Sequence, residues 1–489
     1  MHFSPNSASG DSKAARSRME FNSYSYLLAL IPAISIFWAL PVAARRWYVL
    51  ALSLAFYASW GLQFAWLPLV ICGGVFWCAR RLAAEPENGR RWLLTGIGFV
   101  LTVLCYFKYR GFFIDNVAGL LARFGQAPAA TAASVALPLG ISFYSFEAIS
   151  FLIDSRQGRV KNPRFWDLAL FVLYWPHLVA GPIVRVRELV PQFTFSKKFD
   201  LAMFTLGVDR LLWGLVQKTV LSNSLGGWVD EGFLARAAQS NTTIDNWAMA
   251  TAFGLQIYFD FASYSNMAIG TARLMGITLP ENFRYPYHAA SPPDFWARWH
   301  MTLSRWIRDY LFFPVNARYQ AAPGALYASL LVIMGLAGLW HGAGWGFIAW
   351  GLLQGLWLVL YRMWESWAEG RAGWKEAAWS KAMWRLLTLA MVITAWVPFR
   401  ASSADQAATI LGSMYVHIKL SATYPVNFFL ITALVAGFTA VEPFLGGWIE
   451  RRLAARNHLV LVRPLLWAAC LLMFLAFDER GAKFIYFQF

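Results

Sequence analysis

The sequence predicts an all-α protein that crosses a membrane many times, and three observations support this fold class. Of the 489 residues, 58% are hydrophobic and 14% are charged, whereas a soluble domain has about 25% charged residues. The 26 Trp and 39 Phe residues are of the kind that concentrates at membrane interfaces and in apolar helix contacts. Long apolar runs also follow one another along the chain. So few charges cannot cover the surface of a soluble protein of this size.

The apolar runs define the candidate membrane helices, because an α-helix crosses a bilayer in about 20 apolar residues. We expect about 11 to 13 membrane helices. Several runs are short or irregular and are candidates for re-entrant segments, whose non-helical backbone has to line a protein-enclosed or watery cavity. The runs cover residues 24–43, 47–63, 64–79, 92–108, 134–153, 166–183, 202–222, 246–275, 325–341, 343–363, 382–399, 425–445 and 462–478.

The formal net charge of +16 comes from short basic clusters between apolar runs, which is the pattern of cytoplasmic loops. Such clusters also contact anionic lipid. No basic–aromatic motif for reading nucleic acid is present, so we expect no nucleic-acid partner. The clusters predicted to be cytoplasmic are Arg45 and Arg46; Arg80, Arg81, Arg90 and Arg91; and Arg156, Arg159, Lys161 and Arg164.

The chain is expected to form a single membrane domain, residues 24–489, after a polar N-terminal segment, residues 1–23. Basic residues precede the first apolar run without a clear cleavage site after it, so that run is expected to be a retained anchor. Met19 is a candidate alternative start. The main polar connections are residues 223–245 and 365–381.

The usual motifs of soluble enzymes and of metal sites are missing. The sequence has no phosphate-binding loop, no H-E-x-x-H and no G-x-S-x-G motif. The four cysteines lie in apolar runs without zinc spacing, and we interpret them as small buried hydrophobic residues. No metal site is therefore expected. The cysteines are Cys72, Cys78, Cys105 and Cys470.

Residues 281–315 form an amphipathic, aromatic segment between two apolar regions. Trp296, Trp299 and Trp306 recur at helical spacing, so one face would be aromatic and the other charged. One interpretation is an interfacial helix on the cytoplasmic surface. The other is the polar lining of a cavity in which Arg and His meet an anionic ligand. The polar residues concerned are Arg298, His300, Arg305, Arg308 and Asp309.

Four further apolar stretches contain ionisable residues, which are costly at membrane depth and often mark a site. His341 lies in the glycine-rich run 331–351, where glycines permit close backbone approach or a bend beside the imidazole. Imidazole is the side chain best suited to move a proton near pH 7. Asp260 lies among aromatic residues, and as a buried carboxylate it needs a partner: it either orients a His or Arg, or closes a structural ion pair. Glu147 and His177 lie in stretches that suggest irregular, cavity-lining backbone.

These stretches resemble one known family. DFWARWHMTLSRWIRDYLFFPV at 294–315 and MGLAGLWHGAGWGFIAWG at 334–351 are similar to membrane-bound O-acyltransferases, in the bacterial branch that contains the alginate O-acetyltransferase membrane subunit. The similarity extends to LPLGISFYSFEAISFLID at 137–154, WPHLVAGPIVRVREL at 175–189 and QIYFDFASYSNMAIG at 256–270. ENFRYPY at 281–287 and FIYFQF at 484–489 also resemble that branch.

The resemblance implies a ring of tilted helices around a central tunnel that joins a cytoplasmic acyl-CoA to an acceptor on the far side. It implies that His341 is the catalytic histidine and His300 the second characteristic histidine. Three positions depart from the family pattern: Ala297 replaces Arg, Ser263 replaces Gly, and Asn266 replaces Asp. The Gly-Gly-Asn-Arg sequence that often follows the D-Y-L run, residues 309–311 here, is also missing after Val315. Both histidines are kept, whereas donor and acceptor contacts are open.

From the resemblance we expect acetyl transfer from cytoplasmic acetyl-CoA, as a substrate and with no bound cofactor, toward an exported polysaccharide such as alginate. His341 would be the general base. His300 would position the thioester together with Arg298, Arg305 or Arg308, whose guanidinium groups suit CoA phosphates. Asp260 or Asp309 would orient either histidine. The donor and substrate contacts are expected to include Asn266.

The resemblance further implies a multi-pass protein of the bacterial inner membrane with a periplasmic esterase-like acetyltransferase as partner. The aromatic tail, residues 484–489, either contacts that partner or anchors the chain at the membrane interface. Two alternatives remain open. The acceptor is peptidoglycan, lipid or protein instead of an exopolysaccharide, or the chain is a non-enzymatic transporter, which would also have polar residues in broken helices.

Overall fold

In a computed structural model, the described residues form helices and connecting loops without a β-strand among them, which confirms the all-α prediction. Predictions for residues 1–18 and 486–489, and for short parts of both polar connections, lie outside the described residues. The described residues are 19–125, 135–234, 240–319, 322, 324–369, 371, 373–374, 377–454, 462–477 and 484–485.

The chain forms two compact units. The first comprises residues 1–211 and 265–280, and the second comprises residues 212–264 and 281–489. The single membrane domain stays a prediction. The α-helices lying wholly in the first unit are Tyr24–Ala39, Val42–Ala58, Leu67–Ala84, Gly89–Leu104, Arg110–Arg123, Ile141–Arg156, Phe165–Leu173 and Val186–Leu189. Those lying wholly in the second are Asn223–Gly232, Pro292–Trp296, Met301–Ile307, Phe313–Tyr319, Ala325–His341, Trp345–Glu369, Ala378–Arg400, Ala404–Tyr415, Val426–Ala454 and Val462–Phe477. The helices that contain a boundary are Leu201–Val216 and Thr243–Leu274.

The described chain has five helical segments that are long and apolar enough to cross a membrane. Together with three shorter apolar helices, they make the chain a multi-pass membrane protein. The total of 11 to 13 crossings stays a prediction, because the remaining runs form shorter or more polar helices. The long segments are Leu62–Ala84, Pro86–Arg123, Trp345–Glu369, Ala378–Arg400 and Val426–Gly446. The shorter ones are Tyr24–Ala39, Ala325–His341 and Val462–Phe477.

The first unit contains a buried stretch of irregular backbone. The run predicted at 166–183 forms only the nine-residue helix Phe165–Leu173, and residues 174–185 are non-helical yet buried throughout. Gly140, in the left-handed conformation with φ +70°, packs against this stretch, because a Cβ there would lie 2.7 Å from the Leu178 carbonyl oxygen. The predicted irregular backbone is therefore confirmed around His177, but the same prediction was wrong around Glu147, which lies within the regular helix Ile141–Arg156.

The core of the second unit is built from large aromatic side chains. The Trp396 ring lies 5.1 Å from Trp299, 6.0 Å from Trp350 and 5.4 Å from Phe399, measured between centroids. All four side chains are buried. Trp350 lies on helix Trp345–Glu369, Trp396 and Phe399 lie on helix Ala378–Arg400, and Trp299 lies just before helix Met301–Ile307, so this cluster packs these three parts of the second unit against one another.

Asp245, near the start of helix Thr243–Leu274, binds a distant loop of the second unit. Its carboxylate accepts hydrogen bonds from the backbone N–H of Thr242 and of Thr423, each at 3.0 Å, and from both threonine hydroxyls. Burial raises the pKa of Asp245, but the hydrogen bonds from Thr423 and Thr242 outweigh it and the net pKa is lowered. The charged carboxylate therefore stabilises this loop attachment.

Candidate active site

His341 is the last residue of helix Ala325–His341, and helix Trp345–Glu369 begins after a short turn. Glycines allow these two helices to pack closely: a Cβ on Gly338 would lie 2.1 Å from the Phe347 carbonyl oxygen, and one on Gly351 would lie 2.2 Å from that of Met334. Of the two predicted uses of the glycines, close backbone approach is thus the one seen at Gly338.

The His341 imidazole is buried, with 5% of the residue exposed, and lies among aromatic rings. Its centroid is 4.8 Å from Trp340, 5.0 Å from Trp350 and 5.5 Å from Phe399, each with its plane steeply inclined. Trp350 and Phe399 belong to the aromatic core of the second unit. This rigid setting holds the imidazole in one orientation.

The backbone at His300 interrupts the predicted amphipathic helix. A short helix ends at Trp296, helix Met301–Ile307 begins one residue after His300, and His300 itself has φ +41° and ψ +53°. A non-glycine residue held in the left-handed region costs about 1–3 kcal/mol and often marks a functional site. Trp296, Trp299 and Trp306 are buried in the protein, so the interfacial-helix interpretation is wrong for this segment.

Asn282 fixes the tautomer of His300, that is, which ring nitrogen carries the proton. Its Oδ1 lies 3.1 Å from His300 Nδ1 and also accepts hydrogen bonds from the Thr302 backbone N–H (3.3 Å) and hydroxyl (2.8 Å). Because that oxygen is an acceptor, His300 Nδ1 must donate, which leaves the lone pair on Nε2. Burial lowers the pKa of His300 to about 3, so the imidazole is neutral at pH 7.

The two predicted histidines share one aromatic neighbour. The Trp340 ring centroid lies 4.8 Å from His341 and 6.2 Å from His300. Phe261 covers His300 from another direction, at 4.6 Å. The structure therefore brings His300 and His341 together around a single indole, although 41 residues separate them in the sequence.

Two of the three predicted arginines have a carboxylate neighbour within their own segment. Arg298 Nε lies 2.7 Å from Asp294 Oδ1, and Arg308 Nε lies 2.8 Å from Asp309 Oδ1. Arg308 is exposed and Arg305 half-buried. Arg298 is thereby held at its own helical turn, and Arg308 is one partner of Asp309.

Asp260 has a partner that the sequence analysis missed. Lys218 Nζ lies 2.6 Å from Asp260 Oδ1, and both side chains are buried. The Ile485 backbone N–H donates to Asp260 Oδ2 at 2.8 Å, and the Phe484 ring covers Lys218 Nζ at 4.5 Å. Of the two predicted roles, the ion pair is the one observed, and part of the aromatic tail is a core element of the second unit. Asn266, on the same helix as Asp260, belongs to the first unit.

Lys218 carries a sequence signal that could have revealed this pair. It lies in the predicted span 202–222, where an ionisable residue needs a buried counter-charge. The segment Gln217–Ser222 is a π-helix, a distortion that is frequent at functional sites and that helical periodicity does not predict.

A third buried histidine lies in the first unit. His177 Nδ1 is 3.0 Å from Glu147 Oε1, and both side chains are at most 3% exposed. Glu147 also accepts a hydrogen bond from the Val184 backbone N–H. Within the described residues, His177 Nε2 is buried without a hydrogen-bond partner. The weak sequence signals at Glu147 and His177 therefore belong to one pair.

The fold and this site define a multi-pass helical membrane protein with buried histidines in an aromatic core. Residues 34–395 match the membrane-bound O-acyltransferase family. The chain belongs to this family, as its sequence motifs predicted, and is an O-acyltransferase.

Three relatives show the range of the family. The chain is 35% identical to a protein of Azotobacter vinelandii named "Probable alginate O-acetylase AlgI", over 81% of this chain and 78% of that one. It is 30% identical to a peptidoglycan O-acetyltransferase of Helicobacter pylori, over 96% of this chain and 97% of that one. A teichoic acid D-alanyltransferase of Streptococcus thermophilus is 29% identical over 53% of this chain and 68% of its own length.

Proposed function

We propose that this protein transfers an acetyl group from cytoplasmic acetyl-CoA toward a hydroxyl group of an exported polysaccharide, at the bacterial inner membrane. The observation on which the proposal depends is the buried cluster in which His300 and His341 share Trp340. The names of the AlgI relatives support a polysaccharide acceptor. A periplasmic esterase-like protein is the proposed partner that receives or directs the acetyl group.

In the proposed reaction, a nitrogen of neutral His341 takes the proton of the acceptor hydroxyl as its oxygen attacks the thioester carbonyl carbon. The C–O bond forms, the C–S bond breaks, and the proton passes from the imidazolium to the leaving thiolate. The products are an O-acetyl ester and CoA with a free thiol. General base catalysis of this kind contributes about 10²–10⁴-fold. His300, with its lone pair on Nε2, positions the donor.

The test is acetyl transfer from radiolabelled acetyl-CoA by purified protein in lipid nanodiscs. His341→Ala and His341→Gln are compared with His300→Ala and with the control His417→Ala, because His417 is exposed and outside the cluster. The proposal expects label transfer and thioester hydrolysis to fall in the His341 variants and to persist in the control. Turnover that survives in His341→Ala would defeat the assigned role, and polysaccharide export that survives in His341→Gln would favour a transporter.

A second candidate acceptor is peptidoglycan, because the peptidoglycan O-acetyltransferase relative matches over nearly its whole length. The two acceptors differ in the sugar that is offered, and the transfer step at His341 is the same. Supplying the purified protein and its periplasmic partner with either an uronic-acid polymer or peptidoglycan strands distinguishes them. Ester formation on the uronic-acid polymer alone supports the first candidate, and formation on peptidoglycan alone supports the second.

A further inference from the structure

The first unit contains a cavity of about 350 Å³ that the acyl-transfer site does not use. It lies where the end of helix Tyr24–Ala39, the start of helix Leu201–Val216 and the end of helix Thr243–Leu274 meet. Its lining combines aromatic and aliphatic side chains with three cations and one carboxylate. The lining residues are Trp38, Lys197, Lys198, Asp200, Met203, Phe204, Arg273, Leu274 and Gly276.

The charged lining has a net charge of +2, from Lys197, Lys198 and Arg273 against Asp200. The Asp200 carboxylate is used locally, because it accepts hydrogen bonds from the backbone N–H groups of Ala202 (2.9 Å) and Met203 (3.4 Å) at the start of the helix. Within the described chain, neither lysine has a carboxylate within 4.0 Å. The cavity therefore attracts an anion.

Lys197, one of the three lining cations, lies in a segment held by backbone and aromatic contacts. Lys197 Nζ donates to the Gly276 carbonyl oxygen at 3.2 Å and keeps two further N–H donors. Arg45 lies 4.9 Å from the Trp38 ring centroid and donates to the carbonyl oxygens of Phe195 (3.2 Å) and Lys197 (3.4 Å). These contacts hold the chain at Lys197 beside Trp38, so the positive wall of the cavity is preformed.

Two exposed apolar side chains lie in the chain on either side of Asp200, next to the cavity lining. Phe199, which lies 5.3 Å from the Trp38 ring, is 52% exposed, and Leu201 is 66% exposed. Such side chains beside a group of cations suit acyl chains next to a phosphate better than they suit a water-soluble nucleotide. Arg45 and Arg46 indicate the cytoplasmic side, where basic pockets between membrane helices bind anionic headgroups. We propose that this cavity binds the phosphate headgroup of an anionic phospholipid in the cytoplasmic leaflet.

The test is native mass spectrometry of detergent-purified protein titrated with phosphatidylglycerol or phosphatidylcholine. The variant Lys197→Gln/Lys198→Gln is compared with wild type and with Arg90→Gln/Arg91→Gln, which removes the same charge from exposed arginines outside the cavity. At about fivefold per cation, we expect roughly 25-fold weaker phosphatidylglycerol retention in the lysine variant. Wild type and the arginine control should retain it alike, and phosphatidylcholine should be retained weakly by all three.

Equal phosphatidylglycerol retention in all three proteins would overturn the proposal. A second variant, Met203→Trp, fills the cavity without changing charge and should also lose the lipid; retention as in wild type would contradict the site. Excess CoA is the control for the other phosphate source. Displacement of the lipid by CoA would show that the cavity binds a soluble phosphate ligand and would overturn the proposal, whereas lipid that stays bound supports it. None of these measurements depends on acyl transfer.

Discussion

The histidine of the first unit and the two histidines of the second unit have opposite surroundings. His177 faces the carboxylate of Glu147 at 3.0 Å, whereas His300 faces the amide oxygen of Asn282 and His341 lies among Trp340, Trp350 and Phe399. A carboxylate beside an imidazole stabilises its charged form, whereas burial without a counter-charge disfavours that form. The comparison shows two settings for a buried histidine in this chain, one beside a carboxylate and one beside an amide oxygen or aromatic rings, and we predict that the second supplies the proton acceptor.

The largest expected effect separates His341 from His177. His341→Gln should lower acetyl transfer by about 10²–10⁴-fold because the base is lost, while His177→Gln should keep transfer within about tenfold of wild type. Initial rates with acetyl-CoA, measured on protein of equal folded fraction, check this. An equal loss of acetyl transfer in both variants would contradict the prediction that the two histidines have different roles.

The next effect concerns Asp260, a buried carboxylate of the second unit that pairs with a lysine and not with a histidine. Lys218→Met should lower the free energy of unfolding by about 3–5 kcal/mol, because it leaves Asp260 as an uncompensated buried charge. Thermal unfolding in detergent measures the loss. The double variant Lys218→Met/Asp260→Leu should recover most of it, since both charges are then removed; no recovery would show that the pair is more than a mutual neutralisation.

Glu147→Gln sharpens the comparison from the side of the first unit. It keeps an oxygen near His177 but removes the charge, and should lower the free energy of unfolding by about 1–3 kcal/mol. Transfer rates per folded molecule should stay near those of wild type. The matched control is Glu87→Gln, because Glu87 is exposed and its replacement should leave the unfolding temperature unchanged. A selective loss of transfer without loss of stability would place Glu147 in the reaction.

Asn282→Ala should act through His300, because Nδ1 then loses the acceptor that fixes its proton. We expect a loss of stability of about 1 kcal/mol and a rise in KM for acetyl-CoA, with kcat changed less. Thr302→Val is the control, since it removes only the hydroxyl bond to Asn282. Equal KM values for acetyl-CoA in wild type and Asn282→Ala would show that the orientation of His300 does not contribute to donor binding.

The smallest effect is at Asp245, a carboxylate with hydroxyl and N–H partners and no histidine. Its pKa is lowered in the folded protein, so its contribution is present above the unfolded pKa of about 3.9 and is lost as pH falls through the folded pKa. Asp245→Asn should therefore cost about 1 kcal/mol at pH 7. The free energy of unfolding of both proteins is measured at pH 7 and in acid. The difference between them should shrink in acid, and a difference that stays constant would contradict the role of the charge.

The sequence predicted the helical class and the irregular backbone around His177, and it singled out His300 and His341, which the structure places around one indole. These depend on local signals, because hydropathy, prolines and an ionisable residue in an apolar run can be read within one segment. The setting of His341 was beyond such signals, since Phe399 comes from a helix more than 50 residues further along.

The partners of the polar residues were the least predictable part. Asp260 was expected to pair, but Lys218 lies 42 residues earlier and Ile485 lies 225 residues later. The left-handed turn at His300 was missed because tryptophans at spacings of three and seven fit a continuous helix, although a single residue in that conformation is enough to break it. Tertiary hydrogen bonds that Asn282 accepts stabilise this turn, and they leave no local pattern in the sequence.

The Asp260 network also has a consequence for biosynthesis. Its three parts are contributed by residues 218, 260 and 485, and a chain is made from its N-terminus. Lys218 and Asp260 are therefore translated and inserted long before the backbone N–H of Ile485 exists. During that interval the nascent protein holds a charged pair in an apolar setting with one hydrogen bond fewer than in the finished fold, so maturation of the second unit ends only after residue 485 has left the ribosome.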